Sequence, residues 1–350
     1  MKNFGQRLKS ARIMAKLSMD ELVGKINGIV SKQSISKYER GLMEPENSNI
    51  VIKLADALNV PVDYFFRKHS LSFQAINFRK KTGLSVKEVN SIKERVRDLL
   101  DRYFEIESLL CIDSKFKNPL HQKVFSQEDI EESAIQLRRD WKLGEASPII
   151  NVIDLLEENG VKIVELDVPE GFEGLSGWID QNPFIILNID SVDDRKRFTA
   201  LHELAHLILN FDSRLSVKDQ ERLCYSFAGA ILLPKPAFIK KLKAGERSNI
   251  SLFELIQIKE QYGISIQAIM ARARALGIVS SYTYKQFNIF INRHGLKRQE
   301  PGKYPVKEKS VRFRQLLHHA LAEGIISISK ASIVSRTSIE QLEREMVKGG

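Results

Sequence analysis

The stretch "RFTALHELAHLILN" at residues 197–210 contains the residue types of a hydrolytic metal site, with His202, Glu203 and His206 spaced as His-Glu-x-x-His. Residues four apart lie on one face of a helix, so both histidines could direct a ring nitrogen at the same ion. Glu203 falls on a flank from which its carboxylate could reach a water beside that ion. The pattern predicts a hydrolase site in which two neutral imidazoles hold Zn²⁺, with Mn²⁺ as the alternative, and Glu203 is the general base.

The helix that carries these residues is predicted to be buried, because apolar side chains surround the motif on nearly every side. They are Leu201, Leu204, Ala205, Leu207, Ile208 and Leu209. Buried histidine and glutamate side chains need polar partners, since burial without a partner costs free energy. A metal ion would satisfy them, and a pair of histidines hydrogen-bonded for purely structural reasons is the alternative interpretation.

A catalytic zinc ion usually takes three protein ligands and keeps one position open. The histidines at 121, 294, 318 and 319 lie far away in sequence, whereas Asp219 and Glu221 head a predicted helix in "VKDQERLCYSFAGAILLP". Glu221 is the preferred third ligand, because the helical face that it shares with Tyr225 and Ala228 offers small residues to the metal helix. A solvated glutamate at a helix N-terminus is the alternative.

The first 66 residues have the pattern of short helices with tight turns. Ser18 and Glu21 form a predicted capping box, and Ser31 is a predicted N-cap of a later helix. Two helices joined by a turn suit a helix-turn-helix unit whose second helix enters the major groove. The predicted contacts to a double-stranded DNA operator come from the start of that helix, at Ser31, Lys32, Gln33, Ser34 and Lys37. A structural helical domain with a polar face is the alternative.

The composition is that of a cytoplasmic protein with basic ends. The chain of 350 residues has a net charge of +10, with 12 Lys and Arg against 7 Asp and Glu in residues 1–68 and 13 against 6 in residues 281–350. Basic ends predict that a polyanion such as DNA meets the ends of the chain, in a nucleoid-associated protein. No apolar run reaches 18 residues, so no membrane partner is expected. Two cysteines cannot form a disulfide framework, which favours a reducing compartment.

The remaining patterns predict a mainly α protein with a small β-sheet, of the α+β class. A long amphipathic helix is predicted in "SVKEVNSIKERVRDLLDRYFEIESLL", whose apolar stripe is typical of a core or a dimer seam. "VKIVELDV" has a strand pattern. "GWIDQNPFIILNID" predicts a hairpin that turns at Gln181, Asn182 and Pro183. The pattern of "YTYKQFNIFINRHG" at residues 282–295 is ambiguous, and residues 310–346 are predicted to be helical, within a C-terminal region that is mainly helical.

The first module resembles the phage-repressor (Cro/C1, or XRE) family of helix-turn-helix regulators. The similarity covers about 65 residues and is strongest in "ISKYERG", Pro45 and "LADALNV". Leu22 and Ile35 stand further apart than is usual in that family, which predicts a longer turn before the second helix. The resemblance implies sequence-specific DNA binding.

Residues 131–280 resemble the ImmA/IrrE metallopeptidases. The matching motifs are "GWI", Asn188, the stretch at 197–210, "ERLCYSFAGAILLP" and "YGISIQAIMARARALGIV". The resemblance implies a zincin-like fold, zinc ligands at His202, His206 and Glu221, and a catalytic Glu203, the arrangement of a gluzincin. Cys224 and Tyr225 stand where the family often has Ala-Asn, and Tyr225 could fill the pocket or offer its hydroxyl to the reaction.

Together these features predict four segments: a helix-turn-helix domain at 1–68, a helical linker or dimerisation segment at 69–130, a metallopeptidase domain at 131–280, and a basic helical region at 281–350. The fusion implies a DNA-binding regulator whose endopeptidase cleaves a repressor or other regulatory protein in a stress, phage or mobile-element circuit. A homodimer is a further expectation. The alternative is a transcription factor or antitoxin-like regulator whose zinc domain is a sensor or scaffold.

Overall fold

The computed structural model describes residues 2–67, 84–112, 115–169, 171–172, 174–179, 181–243, 247–297 and 299–348. Within these ranges the chain forms sixteen α-helices, one 3₁₀ helix and five short strands. The predicted α+β class is confirmed. None of the helices in these ranges has the length and apolar character needed to cross a bilayer. Residues 69–83 of the predicted linker lie outside the described ranges, and the four segment boundaries stay predictions.

The N-terminal domain is a cluster of short helices around one apolar core. Its helices are α1 (Lys2–Met14), α2 (Met19–Lys25), α3 (Lys32–Glu39), α4 (Ser48–Leu58) and the 3₁₀ helix Val62–Phe66. The predicted capping box is present, since Ser18 accepts a hydrogen bond from the Glu21 amide and the Glu21 carboxylate accepts one from the Ser18 amide. Ser31 caps α3, as expected. Leu22 and Ile35 are both fully buried and hold α2 against α3.

Helix α5 (Val86–Leu109) connects the N-terminal domain to the rest of the chain. Its apolar stripe is buried inside this chain, where Val96 and Leu100 pack on the sheet and Ile106 packs on the C-terminal helices. Another face of α5 contacts α1, where the Ser91 hydroxyl donates a hydrogen bond to the carbonyl of Met14. The stripe is therefore core, which was one of the two interpretations of its pattern.

The central part of the chain holds a three-stranded sheet between helices. In chain order its elements are β1 (Lys123–Val124), α6 (Gln127–Asp140), α7 (Val152–Glu158), β2 (Lys162–Leu166), β3 (Gly174–Ile179), β4 (Asn182–Asn188), α8 (Asp193–Ile208), β5 (Asn210–Phe211), α9 (Val217–Leu232), α10 (Lys235–Leu242), α11 (Leu252–Tyr262) and α12 (Ile266–Ala275). Helices α8 and α9 pack against each other, and α8 also packs on β3 and β4.

The sheet has the order β2-β4-β3, with β2 parallel and β3 antiparallel to β4. The predicted strand at β2 and the predicted hairpin are both present. The turn is shorter than expected, because Asn182 already pairs with Ile179 and Pro183 with Trp178 inside the hairpin. Strand β3 forms one edge of this sheet, and β1 and β5 form a separate parallel pair.

The C-terminal part begins with α13 (Ser281–Arg293) and ends with α14 (Arg312–Ala322), α15 (Ile328–Ser335) and α16 (Ile339–Lys348). The stretch at residues 282–295, whose pattern was ambiguous, lies mostly in helix α13. Between α13 and α14, residues 299–311 form an irregular segment across the central part of the chain, which we call the strap. Helices α14 to α16 share a core with α5.

Ion pairs to two buried aspartates of α5 join this helix to its neighbours on both sides. Arg7 of α1 pairs with Asp101 at 3.0 Å, and Arg336, which follows α15, pairs with Asp98 at 3.0 Å. Arg7 and Arg336 also lie over the ring of Tyr64, with guanidinium carbons 5.2 and 5.5 Å from its centroid. Burial raises the pKa of Tyr64 well above its usual range. The N-terminal domain, α5 and the C-terminal helices therefore pack around one network.

Candidate metal centre and DNA-contact helix

Helix α8 carries the His-Glu-x-x-His motif through the interior of the central part. The side chains of His202 and Glu203 are almost completely buried, with 2% and 4% of their surface exposed. Leu201 and Leu204 anchor the other sides of the helix in the main core. The prediction that the motif lies on a buried helix is therefore confirmed. The rings of His202 and His206 stand nearly perpendicular, with centroids 4.7 Å apart.

Three predicted metal ligands converge on one point at the α8–α9 contact. The Nε2 atoms of His202 and His206 are 3.1 Å apart, and the Glu221 carboxylate oxygens lie 3.4 Å from the first and 3.2 Å from the second. Tetrahedral bonds of about 2.0–2.2 Å to a metal ion place ligand atoms about 3.3–3.6 Å apart. The donor set of two imidazoles and one carboxylate therefore fits a zinc ion. It is the one such metal-capable group in the described part of the chain.

Glu203 lies beside this group and contacts strand β3. Its carboxylate accepts a hydrogen bond from the Ser176 hydroxyl at 2.8 Å. At Gly174 the strand comes so close to α8 that an added Cβ would lie 2.5 Å from Thr199 Cγ2 and 3.1 Å from Glu203 Cγ. A side chain at position 174 would therefore displace the α8 side chains. Ser176 fixes the orientation of Glu203. The sequence alone did not identify Ser176 as a residue of the site.

Cys224 supports the second histidine from α9. Its thiol is buried, and its Sγ atom lies 3.3 Å from Nδ1 of His206. With Nε2 of His206 bound to a metal, Nδ1 would carry the ring proton and donate a hydrogen bond to the sulfur. Outer contacts of this kind fix the orientation of a ligand ring. Cys224 stands where the resembling family often has another residue, and the thiol still offers an acceptor there.

Tyr225 packs on the metal group and divides the adjoining surface into two clefts. Its ring lies 4.2 Å from that of His202 and 6.2 Å from that of Phe198, measured between centroids. One cleft of about 680 Å³ opens toward the N-terminal end of α8 and the strap, and the other, of about 590 Å³, opens toward α12 and α13. Tyr225 therefore fills space between the two, which was one of its two expected roles.

The predicted DNA-contact residues lie along the start of α3 on the surface of the N-terminal domain. Ser31, Lys32, Gln33 and Lys37 are exposed and Ser34 is half-buried, while Ile35 and Tyr38 face the core, as expected. Three of these residues already have partners. Ser31 caps the helix through the Ser34 amide, the hydroxyls of Ser31 and Ser34 are hydrogen-bonded at 3.0 Å, and Lys32 pairs with Asp20 at 2.7 Å. An exposed pair of this kind contributes about 0–1 kcal/mol. Lys32 could therefore exchange Asp20 for a phosphate at little cost.

Comparison with known families agrees with this architecture. Residues 8–65 match the helix-turn-helix family model, and residues 156–274 match the M78 peptidase model described as the IrrE N-terminal-like domain. The predicted fusion of these two domain types is confirmed. M78 peptidases are typically metal-dependent. A search of curated proteins found no significant match. Helix α5 and the strap lie outside both matched ranges.

Proposed function

We propose that this chain, which joins a helix-turn-helix domain to an IrrE-like domain, is a cytoplasmic regulator carrying a zinc-dependent endopeptidase that cleaves a repressor or another regulatory protein. The observation that carries the proposal is the convergence of His202, His206 and Glu221 beside a buried Glu203. Structural metal sites close their coordination with a fourth protein ligand, whereas catalytic sites use three. A group of three beside a carboxylate supports catalysis.

The roles of the residues follow from their positions. His202, His206 and Glu221 would hold the ion, which when bound polarises the scissile carbonyl and makes the attacking water more acidic. Glu203 takes the proton from that water and then delivers it to the leaving amine. The Ser176 hydroxyl holds the Glu203 carboxylate in one orientation through its hydrogen bond. Thr199 and Gly174 keep β3 in contact with α8, so that Ser176 stays within reach.

The substrate binds as an extended chain in this proposal. Strand β3 is at the edge of its sheet, and an edge strand offers backbone groups to an added strand. A peptide that lies along β3 passes Glu203, because Ser176 of that strand contacts the Glu203 carboxylate. The geometry favours an unfolded or extended segment of a protein over a compact domain.

Metal analysis tests the proposed ligands directly. We expect about one equivalent of zinc or manganese per chain in the purified protein, and no stoichiometric metal after His202→Ala, because two remaining ligands bind far more weakly than three. His294→Ala is the matched control, since His294 is exposed on the surface beyond α13. Elemental analysis by mass spectrometry gives the measurement. Unchanged metal content in His202→Ala would refute the assignment of the ligands. Incubation of the wild-type protein with repressors encoded nearby tests cleavage.

Operator binding is tested separately through α3. We expect Lys32→Ala to weaken binding to genomic DNA fragments and to lower the slope of log affinity against log salt by about 1, since one phosphate contact is lost. Gln33→Ala should instead change which fragment is preferred, because an amide side chain reads base edges. Lys285→Ala removes one charge from α13 as the control. If the wild-type protein retains no genomic fragment at low salt, the N-terminal domain has a structural role instead.

The predicted homodimer stays a proposal. The apolar stripe of α5 is occupied within the chain, so a dimer would use another surface.

A further inference from the structure

The strap is fixed to the central part of the chain by four anchoring side chains. Glu300 accepts hydrogen bonds from the amides of Ile266 and Gln267 at the start of α12. The Tyr304 hydroxyl donates to the carbonyls of residues 149 and 150, Glu308 caps α7, and Ser310 donates to Glu157. The strap is therefore held in a defined position on the surface around α8, although it lies after the residues that match the peptidase family.

The strap forms one wall of the larger cleft, whose floor includes His202. The opposite wall comes from Phe198 and Thr199 on α8 and from Tyr225 on α9, and the strap side presents Gln299, Gly302 and Lys303. Lys297, which precedes the strap, lies on the same side. A peptide that reaches the metal group through this cleft must pass between α8 and the strap.

The acidic residues of this cleft are already engaged. Asp194 and Glu300 both pair with the buried Lys259, at 2.9 and 3.2 Å, and Asp193 accepts a hydrogen bond from the amide of Glu308. By contrast Arg195, Lys297 and Lys303 are exposed, and no acidic side chain among the described residues forms an ion pair with them. The lining of this cleft thus carries four cations against three carboxylates, and the three cations without an ion pair are the exposed ones.

Two of the three arginines that line the second cleft, beyond Tyr225, pair with carboxylates, and the third, Arg274, is exposed with no ion pair among the described residues. Arg272 pairs with Glu131 at 2.8 Å, Arg222 pairs with Asp219 at 3.3 Å, and Arg274 lies over the ring of Tyr284 at 5.2 Å. Its other walls include apolar and aromatic side chains such as Phe125 and Ala271. The two sides of the metal group thus differ in the number of available cations, with three on the strap side and one on the other.

We propose that Arg195, Lys297 and Lys303 form a specificity subsite for acidic side chains, so that the peptide substrate carries acidic residues on the side of the scissile bond that faces the strap. The inference rests on the proposed peptidase function and adds the substrate class to it. Three available cations around one cleft attract a carboxylate-bearing chain and disfavour a basic one.

Peptide binding tests the subsite without turnover. The probe is a fluorescein-labelled peptide of alternating glutamate and alanine, and a peptide with lysine in place of glutamate is the comparison. Zinc-loaded, full-length Glu203→Gln protein is titrated into each peptide. We expect the acidic peptide to bind at least about tenfold more tightly than the basic one. The double variant Lys297→Glu with Lys303→Glu should lower the affinity for the acidic peptide about tenfold, because each exposed contact contributes a factor of a few and charge reversal makes the contact repulsive. Fluorescence anisotropy gives the affinity, which should fall with salt.

The matched control carries Lys307→Glu with Lys309→Glu. These two lysines are also exposed on the strap but lie outside the cleft, and the change in net charge is the same. We expect this control to retain its affinity within about twofold. An equal loss in both double variants would mean that only net charge matters, and would overturn the subsite. Equal binding of the acidic and basic peptides by the parent protein would do the same.

Cleavage specificity separates this inference from the proposed function. Wild-type protein is incubated with a peptide library from a digested cell extract, and mass spectrometry reads the residues around each cut. We expect acidic residues to be enriched on one side of the cut, and the Lys297→Glu with Lys303→Glu protein to lose that enrichment. Cleavage without any acidic preference refutes the subsite alone. Acidic binding that depends on the subsite, without any cleavage, supports the subsite and refutes the peptidase.

Discussion

Glu203→Gln is expected to lower the rate of substrate cleavage by about 10²–10⁴, the usual contribution of a general base, while metal content, fold and DNA binding stay as in the wild type. Glutamine keeps the size of the side chain and can still accept the Ser176 hydrogen bond, but it cannot take a proton from water. The measurement combines single-turnover cleavage of a repressor substrate with elemental analysis of the same protein sample. Glu132→Gln, an exposed change on α6, is the control.

A second variant tests whether a weaker perturbation of Glu203 gives a smaller loss of cleavage rate. Ser176→Ala removes the hydroxyl that contacts Glu203 at 2.8 Å but leaves the carboxylate in place. We expect a smaller loss of rate than in Glu203→Gln, because the base is present but less firmly oriented. A Glu203→Gln strain that regulates its target genes as the wild type does would exclude proteolysis as the mechanism, and the sensor or antitoxin-like function would then replace it.

The sequence predicted those features of the site that depend on short-range patterns of residues. A His-Glu-x-x-His spacing places two histidines on one helical face whatever surrounds the helix. Glu221 could be proposed because it lies at the start of the very next helix, and two helices joined by a short connection tend to pack side by side. The capping box at Ser18 was predicted for the same reason, since its two partners are three residues apart.

The part that the sequence did not predict depends on contacts between distant segments. Ser176 precedes Glu203 by 27 positions and meets it only because β3 pairs with β4 and packs on α8. The strap has no periodic pattern, so the sequence of residues 299–311 does not indicate that this segment forms a wall of the cleft. The partners of Glu308 at the start of α7 lie 156 and 155 positions earlier in the chain. A single acidic residue such as Glu308 carries no signal of burial by itself.

The anchoring of the strap at Glu308 leads to the largest expected change in stability. Glu308 and Arg197 are completely buried and pair at 3.0 Å, and the Glu308 carboxylate also accepts hydrogen bonds from the amides of Val152 and Ile153. Burial raises the pKa of Glu308, while Arg197 and the two amides favour its charged form. Glu308→Ala leaves the Arg197 charge buried without its carboxylate. Breaking such a pair by removing one partner costs about 3–5 kcal/mol.

Urea unfolding of the full-length Glu308→Ala protein should therefore show a free energy of unfolding lower by about 3–5 kcal/mol than that of the wild type. Lys307→Ala, the neighbouring exposed change, should stay within about 0.5 kcal/mol. A double variant with Arg197→Met and Glu308→Leu should recover much of the loss, because it removes both buried charges and refills the space. Since Arg197 lies on α8 five residues before His202, Glu308→Ala should also release zinc to a chelator faster than Lys307→Ala does. Equal stability of Glu308→Ala and Lys307→Ala would mean that the strap is not held at this point, and the cleft wall would then lack its anchor.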